Sequence, residues 1–126
     1  MARPPSQGER PLYWVGSSKR DLLSFPDAVR DEFGTALSVV QFGGKPRSAK
    51  PWKGEGPGVF ELVDYDSGGT YRAIYTVRFQ HAVYVLHAFQ KKSPSGIRTA
   101  QHDVDLISAR LKLATNDYKE RHEDKS

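Results

Sequence analysis

The sequence contains no cysteine, so disulfides and thiolate metal sites are excluded from the outset. No apolar stretch approaches the roughly 18–20 residues needed to cross a membrane as a helix. The first eleven residues, Met1 to Pro11, are polar and proline-rich and carry no apolar signal-peptide segment. A soluble, cytoplasmic protein is expected. Most telling is a local lack of acid. From Ser67 to His102 there is not one Asp or Glu, while Arg72, Arg78, Lys91, Lys92 and Arg98 fall inside that stretch. Just upstream, Lys45, Arg47, Lys50 and Lys53 lie within one short segment that also lacks acids.

What is present amounts to one domain. The chain has 126 residues and a formal net charge of +4, enough length to bury a core without staples. The net charge is unremarkable, but its segregation points to a polyanion such as a nucleic-acid backbone. A solvated basic loop with scattered surface lysines is the competing explanation.

Periodicity supplies the elements. Leu12–Val15 suits a short strand. Ser18 followed by Asp21 resembles a capping box opening a short helix. Ser24 and Pro26 offer a second start, and Val29, Phe33, Ala36, Leu37 and Val40 then fall on one helical face, ending at Gly43-Gly44. Residues 45–58 form a long loop without strand or helix periodicity, and loops of that length are often functional. Strands follow at Val59–Asp64, Thr70–Phe79 and Ala82–Gln90, joined by short turns into an antiparallel meander. After the break at Pro94-Ser95-Gly96, a last helix is expected from about Thr99 to Ala114. Its apolar stripe is Ala100, Val104, Ile107 and Leu111, and Arg110 and Lys112 suit its C-terminal end.

The order β-α-α-β-β-β-α predicts an α+β fold: a small, antiparallel-rich twisted sheet with two N-terminal helices and one C-terminal helix packed on one face. Residues 1–11 are expected to be a disordered lead, 12–114 the domain, and 115–126 a polar tail with little to bury.

Several segments, taken in order, resemble the RelE/ParE toxin superfamily and within it the HigB-like, phage-derived branch. They are Leu37-Ser38-Val39-Val40-Gln41-Phe42-Gly43-Gly44-Lys45-Pro46 with Ala49-Lys50-Pro51-Trp52, then Val59-Phe60-Glu61-Leu62, then Tyr71-Arg72-Ala73-Ile74-Tyr75. The last is Val85-Leu86-His87-Ala88-Phe89-Gln90-Lys91-Lys92-Ser93. The resemblance spans Leu12 to Ala114. It implies a RelE-like fold and a toxin of a type II toxin–antitoxin system. Such a toxin would be a metal-independent, ribosome-dependent mRNA endoribonuclease. Its partners would be a cognate antitoxin of helix-turn-helix type, the ribosome and mRNA, with no membrane and no cofactor. Two alternatives stay open: a ParE-like toxin that poisons DNA gyrase by protein contact, and a non-catalytic RNA-binding module.

Metal-free RNA cleavage needs a base for the 2′-hydroxyl, cations for the phosphorane-like transition state and an acid for the leaving oxygen. By resemblance Arg72 matches the strand arginine at the scissile phosphate, a role suited to a forked, permanently charged guanidinium. An ion pair with Glu61 is the alternative for Arg72, and a general base is the alternative for Glu61. Lys91 and Lys92 match the basic pair ending the last strand. Alternation sends them to opposite faces, and Lys91 is favoured as phosphate binder or proton donor. Lys53 and His87 complete the catalytic candidates, and Lys45, Arg47, Lys50, Arg78 and Phe89 the RNA-binding ones. Each has a bland alternative: loop charges, a satisfied sheet histidine, a core aromatic. The histidine spacings fit no zinc motif, and no metal ligand is assigned. Gly54, Gly56 and Gly58 precede no helix, which argues against a nucleotide-binding loop.

Overall fold

The computed structural model describes residues 8–91 and 100–123. Its elements are β1 (Leu12–Trp14), α1 (Ser18–Leu23), α2 (Asp27–Gln41), β2 (Ala49–Pro51), β3 (Val59–Asp66), β4 (Gly69–Thr76), β5 (Val83–Lys91) and α3 (Gln101–Tyr118). A π-helical turn at Lys119–Glu123 continues α3. One five-stranded sheet has the order β1-β5-β4-β3-β2. β3, β4 and β5 form the expected meander, and β1 joins β5 in parallel.

α2 follows its sequence pattern closely. All five predicted apolar positions, Val29, Phe33, Ala36, Leu37 and Val40, are buried. Pro26 fixes the backbone before the first turn and Asp27 places an acid there, where the helix dipole favours one. At the other end, the Gly44 N–H donates to Val39 O and the Gly43 N–H to Val40 O, both at 2.9 Å. This is the Schellman closure, and Gly43 supplies the left-handed φ of 90° that it requires.

α1 starts one residue earlier than its capping signal suggested. Ser17 is the N-cap, and its hydroxyl donates to Asp21 Oδ2 at 2.7 Å. Ser18 is instead buried, donating to Val85 O at 3.1 Å, which ties α1 to β5.

The structure corrects the expected architecture in three places. The loop before the sheet contains a three-residue edge strand, β2, paired with β3. Pro51 is tolerated there because an edge strand has a side with no ladder to complete. The helices do not share a face: α1 and α2 cover Leu62, Tyr71, Ala73, Tyr75, Val83, Val85 and Ala88, whereas α3 covers Val59, Ile74, Tyr84 and Leu86. Strand alternation puts these two sets on opposite sides. Finally, α3 runs past Ala114. Its stripe continues through Ile107, Leu111, Ala114 and Tyr118, and the Tyr118 ring stacks on Phe79 at 4.6 Å. Part of the segment expected as a tail therefore packs against the domain, through Tyr118 and through His122, whose ring lies 6.2 Å from that of His81. Among the described residues no helix is long and apolar enough to cross a membrane.

Candidate functional site

Strand register builds the site. On the side of the sheet that faces α3, three rows of directly opposed residues run across the strands. The first is Lys50, Glu61, Ile74 and His87; the second is Val63, Arg72 and Phe89; the third is Tyr65, Thr70 and Lys91. Apolar residues fill one end of this face and charged residues the other. A β-bulge at Ile74/Tyr75 lets Leu86 and His87 both turn towards α3, which restores the alternation carrying Phe89 and Lys91.

Arg72 and Glu61 are diagonal neighbours and meet in an ion pair, Nη1 to Oε2 at 2.8 Å. Both side chains are mostly shielded, at 18% and 13% exposure. The ion pair weighed as the alternative for Arg72 is therefore present. Arg72 Nε is buried and has no hydrogen-bond partner. Lys91 lies close enough to feel both groups. Its ammonium is held below the usual lysine value, first by desolvation, then by repulsion from Arg72, against an opposing pull from Glu61. Lys50 sits opposite Glu61 on the edge strand, exposed.

His87 is in a different situation. It is buried, with Nε2 at 2.7 Å from Asp103 Oδ1 and Nδ1 at 3.4 Å from Arg110 Nη1. Arg110 can only donate, so Nδ1 accepts and Nε2–H donates to Asp103. Both nitrogens are engaged, and the ring stacks on Phe89 at 4.8 Å and 19°. Burial holds the imidazole below its ordinary pKa, partly offset by the Asp103 hydrogen bond. In this geometry His87 has no open lone pair for proton transfer; it fastens α3 to β5. Arg110 also donates to Leu86 O at 3.0 Å and to Ser17 Oγ at 3.1 Å. A Cβ on Gly16 would come within 2.9 Å of that guanidinium. Arg110 is thus mid-helix and turned to the sheet, not the terminal charge its position near Ala114 suggested.

The remaining candidates are dispersed. Lys45 lies over the Phe60 ring at 5.5 Å, and Phe60 packs on the α2 side of the sheet. Arg78 sits beyond the far end of β4 and donates to the carbonyls of Glu55 and Pro57, so it organises the loop before β3. Arg47 and Lys53 are exposed in the segments flanking β2. Lys92 lies outside the described residues. The sheet thus brings together Lys50, Glu61, Arg72, Phe89 and Lys91, with His87 beside them. Asp103 was missed in the sequence, although it is the first acid after the acid-free stretch and stands in the first turn of α3. Among the described residues no group of three His, Asp or Glu side chains is placed to hold a metal ion.

Chemically the cluster offers a phosphate-seeking guanidinium, an adjacent carboxylate with its second oxygen free of the Arg72 contact, and an ammonium predisposed to give up its proton. Comparison with known proteins places the fold. The free-state Escherichia coli toxin RelE carrying two arginine-to-alanine substitutions superposes with a TM-score of 0.55 at 18% identity, over 83% of this chain and 97% of that one. The isolated E. coli RelE toxin gives 0.51 at 17% identity, over 79% and 98%. The RelBE2 toxin–antitoxin complex of Mycobacterium tuberculosis gives 0.41 at 22% identity, over 71% and 100%. No curated protein matches the sequence. Residues 20–112 match the family described as phage derived protein Gp49-like (DUF891). The fold is that of the RelE superfamily, and the chain belongs to the phage-derived Gp49-like family.

Proposed function

We propose that this protein is the toxin of a toxin–antitoxin pair and acts as an endoribonuclease on mRNA engaged by the ribosome. The observation that carries the reading is the convergence of Arg72, Glu61 and Lys91 on one patch of a RelE-type sheet. In the reaction the 2′-oxygen attacks the adjacent phosphorus and the bond from phosphorus to the 5′-oxygen breaks. The products are a 2′,3′-cyclic phosphate and a 5′-hydroxyl. Glu61 takes the 2′-hydroxyl proton. Lys91 delivers a proton to the departing 5′-oxygen. Arg72 lies against the phosphate and neutralises the charge that grows on its equatorial oxygens. Lys50 adds positive potential along the strand edge. His87 takes no proton in this scheme; with Asp103 and Arg110 it holds α3 and the Phe89 ring in place. A small antitoxin of helix-turn-helix type is the expected neutralising partner.

Purified protein added to a translating extract tests the reading. Primer extension should reveal cut mRNA, and Arg72→Ala should lower the cleavage rate by about 10²- to 10³-fold, the usual loss for one transition-state donor. Intact mRNA together with inhibited supercoiling by DNA gyrase would replace this reading with the gyrase-poison alternative.

A further inference from the structure

The cluster accounts for a phosphate but not for a base. Sites for single-stranded nucleic acid pair their cations with an aromatic face on which an unpaired base can stack. On the α3-facing side of the sheet, two aromatic side chains stand in the same rows as Arg72 and Lys91. Phe89 is half-buried and already stacks against His87. Tyr65 is not so committed: it is 68% exposed, and among the described residues no ring contact or side-chain hydrogen bond engages its phenol.

We propose that Tyr65 is the stacking platform for an unpaired RNA base flanking the scissile phosphate. The assignment rests on the endoribonuclease reading and adds a base subsite to it. An isolated exposed aromatic needs no explanation; its register is what singles this one out. Tyr65 stands opposite Thr70, which stands opposite Lys91. Arg72 is one strand across and one row back, a Cα separation of roughly 8 Å from sheet spacings. Among the described residues the other exposed large apolar side chains, Leu23, Val39, Phe42 and Leu113, lie on helices or at a helix end. The acids flanking Tyr65 do not compete with it. Asp64 and Asp66 alternate to the opposite side of β3, and Asp64 Oδ1 accepts the Tyr65 backbone N–H at 2.9 Å. The hairpin end thus keeps its carboxylates away from RNA and turns one aromatic ring towards it.

The test is steady-state cleavage of the RNA that the wild type cuts, with Tyr65→Ala, Tyr65→Phe and, as a control, Phe42→Ala. Phe42 is also an exposed aromatic, 54% accessible, but it caps α2 away from the site. Tyr65→Ala should raise KM by about 5- to 100-fold with a smaller change in kcat, as expected for loss of one stacked base. Tyr65→Phe should keep most of the affinity, and Phe42→Ala should match wild type. A Tyr65→Ala enzyme with unchanged KM overturns the platform and leaves the ribonuclease reading standing. If the wild type cuts no RNA, that reading falls. Tyr65→Trp fluorescence titrated with a single-stranded RNA oligonucleotide then decides the platform alone: quenching supports it and an unaltered spectrum ends it.

Discussion

The two faces of the sheet are built on different terms. On the α2 side, the cluster around Phe33, Leu37, Leu62 and Tyr75 is apolar throughout, and α2 packs on the sheet by area and shape, its polar ties to Arg10 lying only at its C-terminal end, at Val40 and Gln41. On the α3 side, only one end is apolar. The other is given over to Glu61, Arg72 and Lys91, and α3 is held partly by polar fastenings, His87 to Asp103 and Arg110 to Leu86 O and Ser17. The difference teaches where this fold keeps its stability and where it exposes its chemistry. A face that must leave charges accessible cannot bury its helix by apolar contact over the full length, so specific hydrogen bonds supplement it.

The largest break in this comparison should come from the apolar side. Phe33 is fully buried between α2 and the sheet and contacts Phe25 edge-on at 6.1 Å. Phe33→Ala should cost about 3–5 kcal/mol, from lost transfer energy plus the cavity left behind. Urea unfolding at neutral pH measures it. Cleavage per folded molecule should be unchanged, because no group of the proposed site moves. The chain carries two tryptophans, one per face: Trp14 packs on the α2-side cluster and Trp52 on the α3-side cluster. Single-tryptophan variants made with Phe therefore read the two faces separately.

A smaller effect, with a pH signature, is expected on the α3 side. Burial lowers the His87 pKa below its unfolded value of about 6.5. In the window between the two, the unfolded chain binds more protons than the folded one. Stability is then full above about pH 6.5 and falls with acidification until the folded pKa is passed. Lowering the pH from 7.5 towards 5 should bring the Trp52 transition to lower urea first, with the Trp14 transition following. His87→Leu should cost about 1–3 kcal/mol at neutral pH, since Asp103 loses its donor. It should also remove this part of the acid sensitivity. Coincident Trp14 and Trp52 transitions at every pH would show that the two faces unfold as one unit and that the histidine fastening has no separate effect.

The two faces also differ in how far they can be read from sequence. α2 was legible residue by residue because an apolar stripe at helical spacing leaves few alternatives, and Gly43-Gly44 marked its end. Arg72 and Lys91 were legible as candidates, and the Arg72–Glu61 ion pair was legible as the alternative that cross-strand pairing allows. What escaped was anything that depends on long-range approach. β2 is three residues long and hidden between prolines and lysines. Arg110 and Asp103 become partners of His87 only because α3 crosses the face opposite α2, and local periodicity does not say which face a helix takes. Arg78, one of several cations in the acid-free stretch, turns away to hold loop carbonyls, and composition cannot separate it from Arg72.

The smallest expected effect tests whether the charged end of the α3 face behaves as one electrostatic unit. Desolvation is the main reason that the Lys91 ammonium sits below the ordinary lysine value; Arg72 lowers it further and Glu61 raises it. Removing the guanidinium with Arg72→Ala should therefore move the Lys91 pKa up, and neutralising the carboxylate with Glu61→Gln should move it down. Each change should be smaller than the effect of burial, and added salt should weaken both because the site is partly open to solvent. NMR titration of the labelled Lys91 side chain follows this directly, independently of cleavage. Phe33→Ala, on the opposite face, should leave the titration where it is in the folded protein. If Arg72→Ala and Glu61→Gln both leave it unmoved as well, Lys91 does not share a site with them, and the proton donor of the proposed reaction must be sought elsewhere on the sheet.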